Sequence, residues 1–207
     1  MDRIILIGGG GHCASCLDVL DREGRFAVAA VVEKPEKSGG RICGLPINAT
    51  DADLPGLIRQ FENVLITIGQ VKSAAPRKDA YKRASALGAK FPAIISPLSI
   101  LSKYADLGAG SILMHQALVN SRVKIGINTI INTRALIEHD VVIGDHCHIS
   151  TAAVLNGGCR IEDDCFVGSS AVLREGVRLG TGCVVGCGAL VLGDVPEKST
   201  VYGVWKG

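Results

Sequence analysis

A strict six-residue repeat dominates the second half of this 207-residue chain. From Ile95 to Val191, every sixth residue is Ile, Leu or Val without an exception. An α-helix repeats its buried positions about every 3.6 residues and an ordinary strand about every 2, so neither gives this period. A parallel β-helix built from hexapeptide rungs does give it. The repeat therefore predicts a β-helix over about half of the chain.

The repeat also gives the sequence spacing between residues that stack on neighbouring coils of the β-helix. We predict this β-helix over residues 91–195. Three hexads make one coil, so a residue stacks on the residue 18 places later, about 4.8 Å away on the neighbouring strand. Residues 196–207 form a C-terminal tail that closes the last coil or reaches another subunit. Because the flanks of a solenoid need cover, we expect an oligomer, and a trimer is the usual closed ring for this fold.

Eight cysteines raise the question of a metal site or disulfides. Counting four places after each repeated aliphatic residue gives only small or β-branched residues, and four of the cysteines occupy this slot: Cys147, Cys159, Cys165 and Cys183. We expect these four to be small buried hydrophobic residues. Cys13 and Cys16 form a CxxC that lacks the usual redox context, and Cys43 and Cys187 also lie outside the slot.

Residues 1–90 follow a different pattern, in which short apolar strands alternate with helices. We expect strands at Arg3–Ile7, Phe26–Val32 and Val64–Ile68, and helices near 13–21 and 75–87. This alternation predicts a small Rossmann-like α/β domain with a parallel sheet. Ligands of such sheets bind beyond the carboxyl ends of the strands, which places these residues around one crevice: Gly10, Gly11, His12, Glu33, Lys34 and Gly69.

The run Gly8–Gly11 after the first strand is only part of a dinucleotide fingerprint. Ala14 stands where the third glycine or alanine of that fingerprint would be. The turn therefore has two interpretations. Its backbone approaches a phosphate at the helix N-terminus, or it is a tight strand-to-helix turn that binds no ligand.

Charge and hydropathy exclude several partners. The formal net charge is +2 and no basic stripe is present, so nucleic acid is not an expected partner. The N-terminal apolar stretch is too short for a signal peptide, and no run approaches the length of a membrane span. We expect a cytoplasmic protein without membrane insertion.

His139 is the candidate catalytic residue of the β-helix. It lies two places after Ile137, so its side chain should point outward, and adding 18 to its number reaches Gly157. A histidine beside the bare backbone of Gly157–Gly158 is a sensible arrangement for a general base next to N–H donors. The alternative is a solvated surface histidine.

Four motifs together resemble one enzyme family: Asn132–Thr133, Glu138–His139–Asp140, His148–Ile149–Ser150 and Gly9–Gly10–Gly11–His12. They are similar to those of the nucleotide-sugar N-acetyltransferases of the left-handed β-helix, or hexapeptide-repeat, superfamily. Within it the chain resembles the bacillosamine and perosamine branch, which is related to the sialic acid O-acetyltransferases. The resemblance spans nearly the whole chain.

The resemblance implies acetyl transfer from acetyl-CoA to the amino group of a nucleotide-linked amino-deoxy sugar, for surface glycan biosynthesis, with no metal. It makes His139 the general base and Asp140 the carboxylate that orients it. It also implies a homotrimer whose cofactor groove lies between subunits, with these acetyl-CoA contacts: His148, Gly157, Gly168, Ser169 and Cys187. The crevice of the N-terminal domain matches the nucleotide pocket.

The position of Asp140 raises a geometric question. Adjacent residues of a strand point to opposite faces, so Asp140 reaches His139 only if the backbone bends at a coil corner. Glu138 is the alternative partner. Trp205 also has two interpretations, because it packs either on the adenine of the cofactor or against a neighbouring subunit.

The chain departs from its relatives where the nucleotide should bind. Glu33–Lys34 replaces their Asp-Asp, and Gly69–Gln70–Val71 replaces their Gly-Asn-Asn, so the sequence does not distinguish UDP, GDP and CMP. Three other functions remain open. They are sugar O-acetylation of the sialic acid type, a γ-type zinc hydratase using His139, His146 and His148, and a non-catalytic sugar-nucleotide sensor.

Overall fold

The computed structural model describes residues 1–37 and 39–207. Contacts divide the chain into two compact units. The first contains residues 1–69 and 75–94, and the second contains residues 70–74 and 95–207. The short segment 70–74 therefore groups with the second unit, although the chain around it belongs to the first.

The first unit is a three-stranded parallel sheet in the order β2-β1-β5, together with helices and a short hairpin. The central strand β1 is apolar and almost fully buried from Ile4 to Ile7, as expected for the middle of a parallel sheet. This arrangement confirms the predicted α/β class. The elements are β1 (Asp2–Ile7), α1 (Gly11–Glu23), β2 (Phe26–Val32), β3 (Arg41–Ile42), β4 (Leu45–Pro46), α2 (Leu54–Phe61), β5 (Asn63–Ile66) and α3 (Ala75–Ala86).

Helix α2 was not predicted from the sequence. It has eight residues, with proline in its first turn and Gly56 in its interior. Glycine weakens a helix, whereas proline is tolerated in the first turn, so the local signal is poor. The helix forms because Leu54 and Ile58 are buried against the sheet.

The second unit is a left-handed parallel β-helix of about six turns, as predicted. Its rungs are two-residue strands that pair with the strand one coil earlier and one coil later. They are β6 (Ile94–Ile95), β7 (Ile100–Leu101), β8 (Asp106–Leu107), β9 (Ile112–Leu113), β10 (Leu118–Val119), β11 (Lys124–Ile125), β12 (Ile130–Ile131), β13 (Leu136–Ile137), β14 (Val142–Ile143), β15 (His148–Ile149), β16 (Val154–Leu155), β17 (Arg160–Ile161), β18 (Phe166–Val167), β19 (Val172–Leu173), β20 (Arg178–Leu179), β21 (Val184–Val185), β22 (Leu190–Val191), β23 (Thr200–Val201) and β24 (Val204–Trp205).

The six-residue series forms the core of this unit. From Leu113 to Val191, each member of the series is at most 4% exposed. The four cysteines of the small-residue slot are fully buried among them, and all eight cysteines are free. The buried thiols donate to backbone carbonyls farther along the chain, for example Cys147 Sγ to Glu162 O at 3.1 Å. Burial also raises the pKa of the Cys159 thiol to about 11, which keeps it protonated. The packing role predicted for these cysteines is confirmed.

Three sheets form the faces of the β-helix, and their outward residues differ. The apolar face presents only aliphatic side chains: Ile100, Leu118, Leu136, Val154, Val172, Leu190 and Val204. The charged face presents Asp106, Lys124, Val142, Arg160 and Arg178. The third face includes His148 and Phe166.

The corners between the faces form the edges of the β-helix. The first edge, on one side of the apolar face, contains 132–134, 150–152, 168–170 and 186–188. The second edge, on its other side, contains 120–122, 138–140, 156–158, 174–176 and 192–194. Several corners place a non-glycine residue in the left-handed region, such as Arg122 (φ 62°) and Asp140 (φ 62°), which turns the chain sharply.

The tail closes the last coil. Strand β23 pairs with β21, and β24 pairs with β22. Trp205 packs against the end of the core, and its indole N–H donates to Asp194 O at 3.0 Å. Within this chain, Trp205 is therefore part of the cap of the β-helix.

Among the residues that the structure describes, no helix is long and apolar enough to cross a membrane.

Candidate active site

His139 and Asp140 form a hydrogen-bonded pair on the second edge. His139 Nδ1 lies 2.8 Å from Asp140 Oδ2. The left-handed backbone of Asp140 turns its side chain back toward its neighbour, so the bend that the sequence required is present. Glu138 has other partners, since its Oε2 accepts from Asn120 Nδ2 at 3.0 Å. The geometry therefore favours Asp140 over Glu138 as the partner of the imidazole.

Arg122, one coil earlier, holds the same carboxylate with two nitrogens. Its Nε lies 2.6 Å from Asp140 Oδ1, and its Nη2 lies 2.7 Å from Oδ2. Hydrogen bonds from Arg122, and then from His139, hold the pKa of Asp140 well below its usual range. An ionised carboxylate only accepts hydrogen bonds, so His139 Nδ1 carries the proton and Nε2 is left as the basic nitrogen.

The imidazole of His139 lies against Gly157, as the 18-residue spacing predicts. A Cβ placed on Gly157 would lie 2.7 Å from His139 Cε1 and 2.9 Å from Nε2, so only glycine leaves room for the ring. The Gly158 N–H is already bonded to His139 O at 2.9 Å. Within the described chain, the Gly157 N–H has no acceptor.

The first edge carries three of the residues that the resemblance assigns to acetyl-CoA. Gly168 is in close contact with the next coil, because a Cβ on it would lie 2.6 Å from Cys187 N. Ser169 Oγ lies 3.0 Å from Ser150 Oγ, and Cys187 is exposed. In a single chain these residues are separated from His139 and Gly157 by the apolar face.

His148 is not on either of these edges. It is 7% exposed on the third face, and both its ring nitrogens have partners. Asn132 Nδ2 lies 3.0 Å from its Nε2, and its Nδ1 lies 2.8 Å from Gln70 O. The Gln70 side chain is also buried, with its Nε2 donating to Cys165 O at 3.2 Å. The single chain therefore does not bring His148 together with His139.

The three histidines of the zinc hypothesis lie apart. His139 is exposed on the second edge, while buried His146 contacts Asn128 Nδ2 at 2.9 Å at another corner. His148 lies on the third face. In the described part of the chain, no group of three or more His, Cys, Asp or Glu residues is arranged to hold a metal ion.

In the first unit, the glycine turn is held by Glu33. Glu33 Oε2 accepts from Gly9 N at 2.9 Å, and Oε1 accepts from Lys34 N at 3.0 Å. Burial raises the pKa of Glu33, but these two N–H groups and the nearby lysines outweigh it, so the net pKa is lowered. Gly10 caps helix α1, and a Cβ on Gly10 or Gly11 would meet no atom within 4 Å. The start of the helix is therefore open to a ligand.

A cleft of about 360 Å³ lies at the carboxyl ends of strands β1 and β2 in the first unit. Glu33 and Lys34 line it, together with residues that the sequence reading missed: Ile7, Gly8, Val32, Asp51, Ile68, Ala75, Pro76, Asp79 and Arg83. His12 and Gly69 are outside this lining but contact each other, since a Cβ on Gly69 would lie 3.4 Å from His12 Cβ.

Two family models match the chain. The PglD N-terminal domain matches residues 3–84, and the bacterial transferase hexapeptide, with six repeats, matches residues 158–193. PerB from Caulobacter crescentus, solved in complex with CoA and GDP-perosamine, is 29% identical, with a TM-score of 0.90 over 98% of this chain and 95% of that one. The chain is a hexapeptide-repeat acetyltransferase with a PglD-type N-terminal domain. This confirms the family, the fold and the acyltransferase class expected from the sequence.

Other solved structures agree with this assignment. The acetyltransferase domain of PglB from Neisseria gonorrhoeae, in complex with acetyl coenzyme A, is 28% identical to this acetyltransferase. Its TM-score is 0.89, over 97% of this chain and 96% of that one. A histidine variant of perosamine N-acetyltransferase from Caulobacter crescentus, in complex with CoA and GDP-perosamine, is 29% identical, with a TM-score of 0.90 over 98% of this chain and 94% of that one. No curated protein sequence matches the chain.

Arg77 is a buried residue of this acetyltransferase that sequence reasoning missed. It is 1% exposed, and its Nη1 donates to Ile66 O at 3.2 Å and to Ile68 O at 2.6 Å. Burial lowers the pKa of its guanidinium to about 10, which still leaves it charged near neutral pH. Arginine on a helix is usually exposed, so the sequence carried no signal for this contact. The residue fixes the end of β5 just before Gly69.

Proposed function

We propose that this protein transfers the acetyl group of acetyl-CoA to the amino group of a nucleotide-linked amino-deoxy sugar, such as a UDP- or GDP-4-amino sugar, for surface glycan biosynthesis. The observation that carries the proposal is the His139 imidazole, held by Asp140 with its basic nitrogen beside Gly157. The likeness to PerB and to PglB, over nearly the full chain, supports the substrate class.

His139 Nε2 acts as the general base. The amine nitrogen attacks the thioester carbonyl carbon, and Nε2 takes the proton that the amine loses as the new C–N bond forms. The Gly157 N–H donates to the oxyanion of the tetrahedral intermediate. When the intermediate collapses, the C–S bond breaks and the proton held by His139 passes to the sulfur of CoA. Asp140 stays ionised and stabilises the imidazolium.

A test of this geometry is the substitution Gly157→Ala. The added methyl group would lie within 3 Å of the ring atoms Cε1 and Nε2, so His139 must move. We expect kcat to fall about 10- to 100-fold, with the KM for both substrates little changed, because a small misplacement of a catalytic group is costly. Gly56→Ala is the control, since a Cβ there meets no atom within 4 Å. Full turnover by Gly157→Ala would contradict this role of the glycine.

The N-terminal domain, residues 1–90, holds the nucleotide sugar, and residues 91–195 form the acetyltransferase domain with 196–207 as its tail. The free N–H groups at Gly10 and Gly11 suit a phosphate, because a helix N-terminus attracts anions. Of the other residues assigned to this site, Lys34 lines the cleft, His12 and Gly69 lie outside its lining, and Glu33 mainly braces the glycine turn. Eight free cysteines fit a reducing, cytoplasmic location.

The assembly is a homotrimer in which two copies complete each site. The apolar face is an unbroken column of aliphatic side chains that water would otherwise cover. It lies between the first edge, with Ser169 and Cys187, and the second edge, with His139. If three copies bury this face around one axis, the first edge of one copy meets the second edge of the next. The acetyl-CoA contacts then come from both copies, and His148 contributes from the adjoining face.

The reaction is tested with two nucleotide sugars that differ only in an amine or a hydroxyl at the acceptor carbon. We expect CoA release from acetyl-CoA to depend on the amine, and the product to contain an amide. Transfer to the hydroxyl instead would support O-acetylation of the sialic acid type. Nucleotide-sugar binding without acetyl-CoA binding or turnover would support a sensor. Thermal shifts with UDP, GDP and CMP sugars identify the nucleotide, since a selective ligand stabilises the folded state.

A further inference from the structure

Arg122 has an unusual place for a surface arginine. It lies one coil before Asp140 and stacks on it, with both residues at left-handed corners of the second edge. Its two short hydrogen bonds engage both oxygens of the carboxylate that also accepts from His139 Nδ1. The three side chains therefore form a continuous relay in which Asp140 is the middle member.

We propose that Arg122 is a positioning residue for catalysis, which fixes the Asp140 carboxylate and through it the orientation of the His139 imidazole. This inference rests on the proposed role of His139 as the base. Arg122 itself does not contact the Gly157 side of the ring, where the reaction would occur. Its contribution is transmitted through Asp140 alone.

The exposure of the pair explains why a positioning residue is needed. The side chains of His139 and Asp140 are 60% and 42% exposed, so no surrounding core restricts their rotation. A carboxylate held by one hydrogen bond would rotate and exchange with water. The planar guanidinium fork matches both carboxylate oxygens and fixes the plane of the group. The nearest competing acid, Glu138, is occupied by Asn120, which leaves Asp140 as the partner of the imidazole.

The two hydrogen bonds from the Arg122 guanidinium also determine which tautomer of His139 is present. With Arg122 on both oxygens, Asp140 remains an acceptor, and Oδ2 receives the His139 Nδ1–H. This keeps Nε2 free of a proton and directed along the Gly157 side of the edge. Loss of the guanidinium allows the carboxylate to turn away and the imidazole to rotate with it. His139 Nε2 then faces the acceptor amine for a smaller fraction of the time.

The experiment compares Arg122→Gln and Arg122→Lys with a matched control, Arg178→Gln. Arg178 forms a similar surface pair, with its Nη2 2.8 Å from Glu162 Oε1, but it lies on the charged face, two coils after Val142. We expect Arg122→Gln to lower kcat about 10-fold with unchanged KM for both substrates, because only orientation is lost. Arg122→Lys should retain an intermediate kcat, since a point charge replaces the fork. Arg178→Gln should behave as the native enzyme.

A double-mutant comparison distinguishes positioning from a general structural effect. If Arg122 acts only through Asp140, Arg122→Gln should cause no further loss of kcat in an Asp140→Asn background. An equal further loss in that background, or native kcat for Arg122→Gln, would overturn the proposal. Full activity of His139→Ala would instead overturn the proposed function, so the two failures are distinguishable. Thermal unfolding of each variant verifies that the fold is intact.

Discussion

Replacing His139 with alanine is expected to lower kcat by about 10²- to 10⁴-fold, the range that a general base contributes. In the proposed mechanism the histidine takes the proton of the attacking amine, and no other imidazole of the described residues lies on the second edge. The side chain is 60% exposed and outside the core, so the variant should keep its fold and its melting temperature. The measurement is the initial rate of CoA release with a saturating nucleotide amino sugar.

A second histidine provides the control for this substitution. His146 lies at a corner that belongs to neither edge, where Asn128 Nδ2 lies 2.9 Å from its Nδ1. His146→Asn should therefore leave turnover close to that of the native protein. If His139→Ala retained near-native kcat with an unchanged fold, the base would be another group, and the mechanism would be wrong.

Placing a carboxylate on the apolar face is expected to abolish both the proposed trimer and the activity. In Val154→Asp, the charge would sit in the middle of the aliphatic column, where the proposed interface leaves it without a partner or water. Because each proposed site needs two edges from two copies, we expect a folded monomer whose kcat/KM is at least about 100-fold lower. Sedimentation or light scattering gives the mass, and the same samples give the rate.

The control for Val154→Asp is the same substitution, valine to aspartate, on the charged face. Val142 is an outward valine whose neighbours along the face are Lys124 and Arg160. Val142→Asp should keep the native mass and rate, because its carboxylate remains in water beside cations. A Val154→Asp protein that stays trimeric and active would show that the apolar face is not the interface.

The regular half of the molecule was largely predictable. The six-residue series specified the core, and the 18-residue spacing placed His139 against Gly157, where the structure shows only glycine fits. The same 18-residue spacing also identifies Arg122, since it lies 18 residues before Asp140. Arg122 was not predicted, because an arginine at an outward corner is ordinarily a solvated surface residue.

Other features had no local signal. Segment 70–74 groups with the β-helix because Gln70 buries its side chain against Cys165 O and offers its carbonyl to His148. These contacts join positions far apart in sequence, so no periodicity reports them. The buried Arg77 is similar, because its Nη1 donates to the backbone carbonyls of Ile66 and Ile68. Such contacts follow from tertiary structure alone.

Mixed trimers test most directly the central claim that His139 of one copy and the first edge of another form one acetyltransfer site. His139→Ala removes the base, and Cys187→Trp fills the exposed first edge, so each variant alone should be inactive. Every mixed trimer contains one site with both edges intact, so random co-assembly should restore about a quarter of the native activity. Co-assembled trimers no more active than either parent would contradict the account.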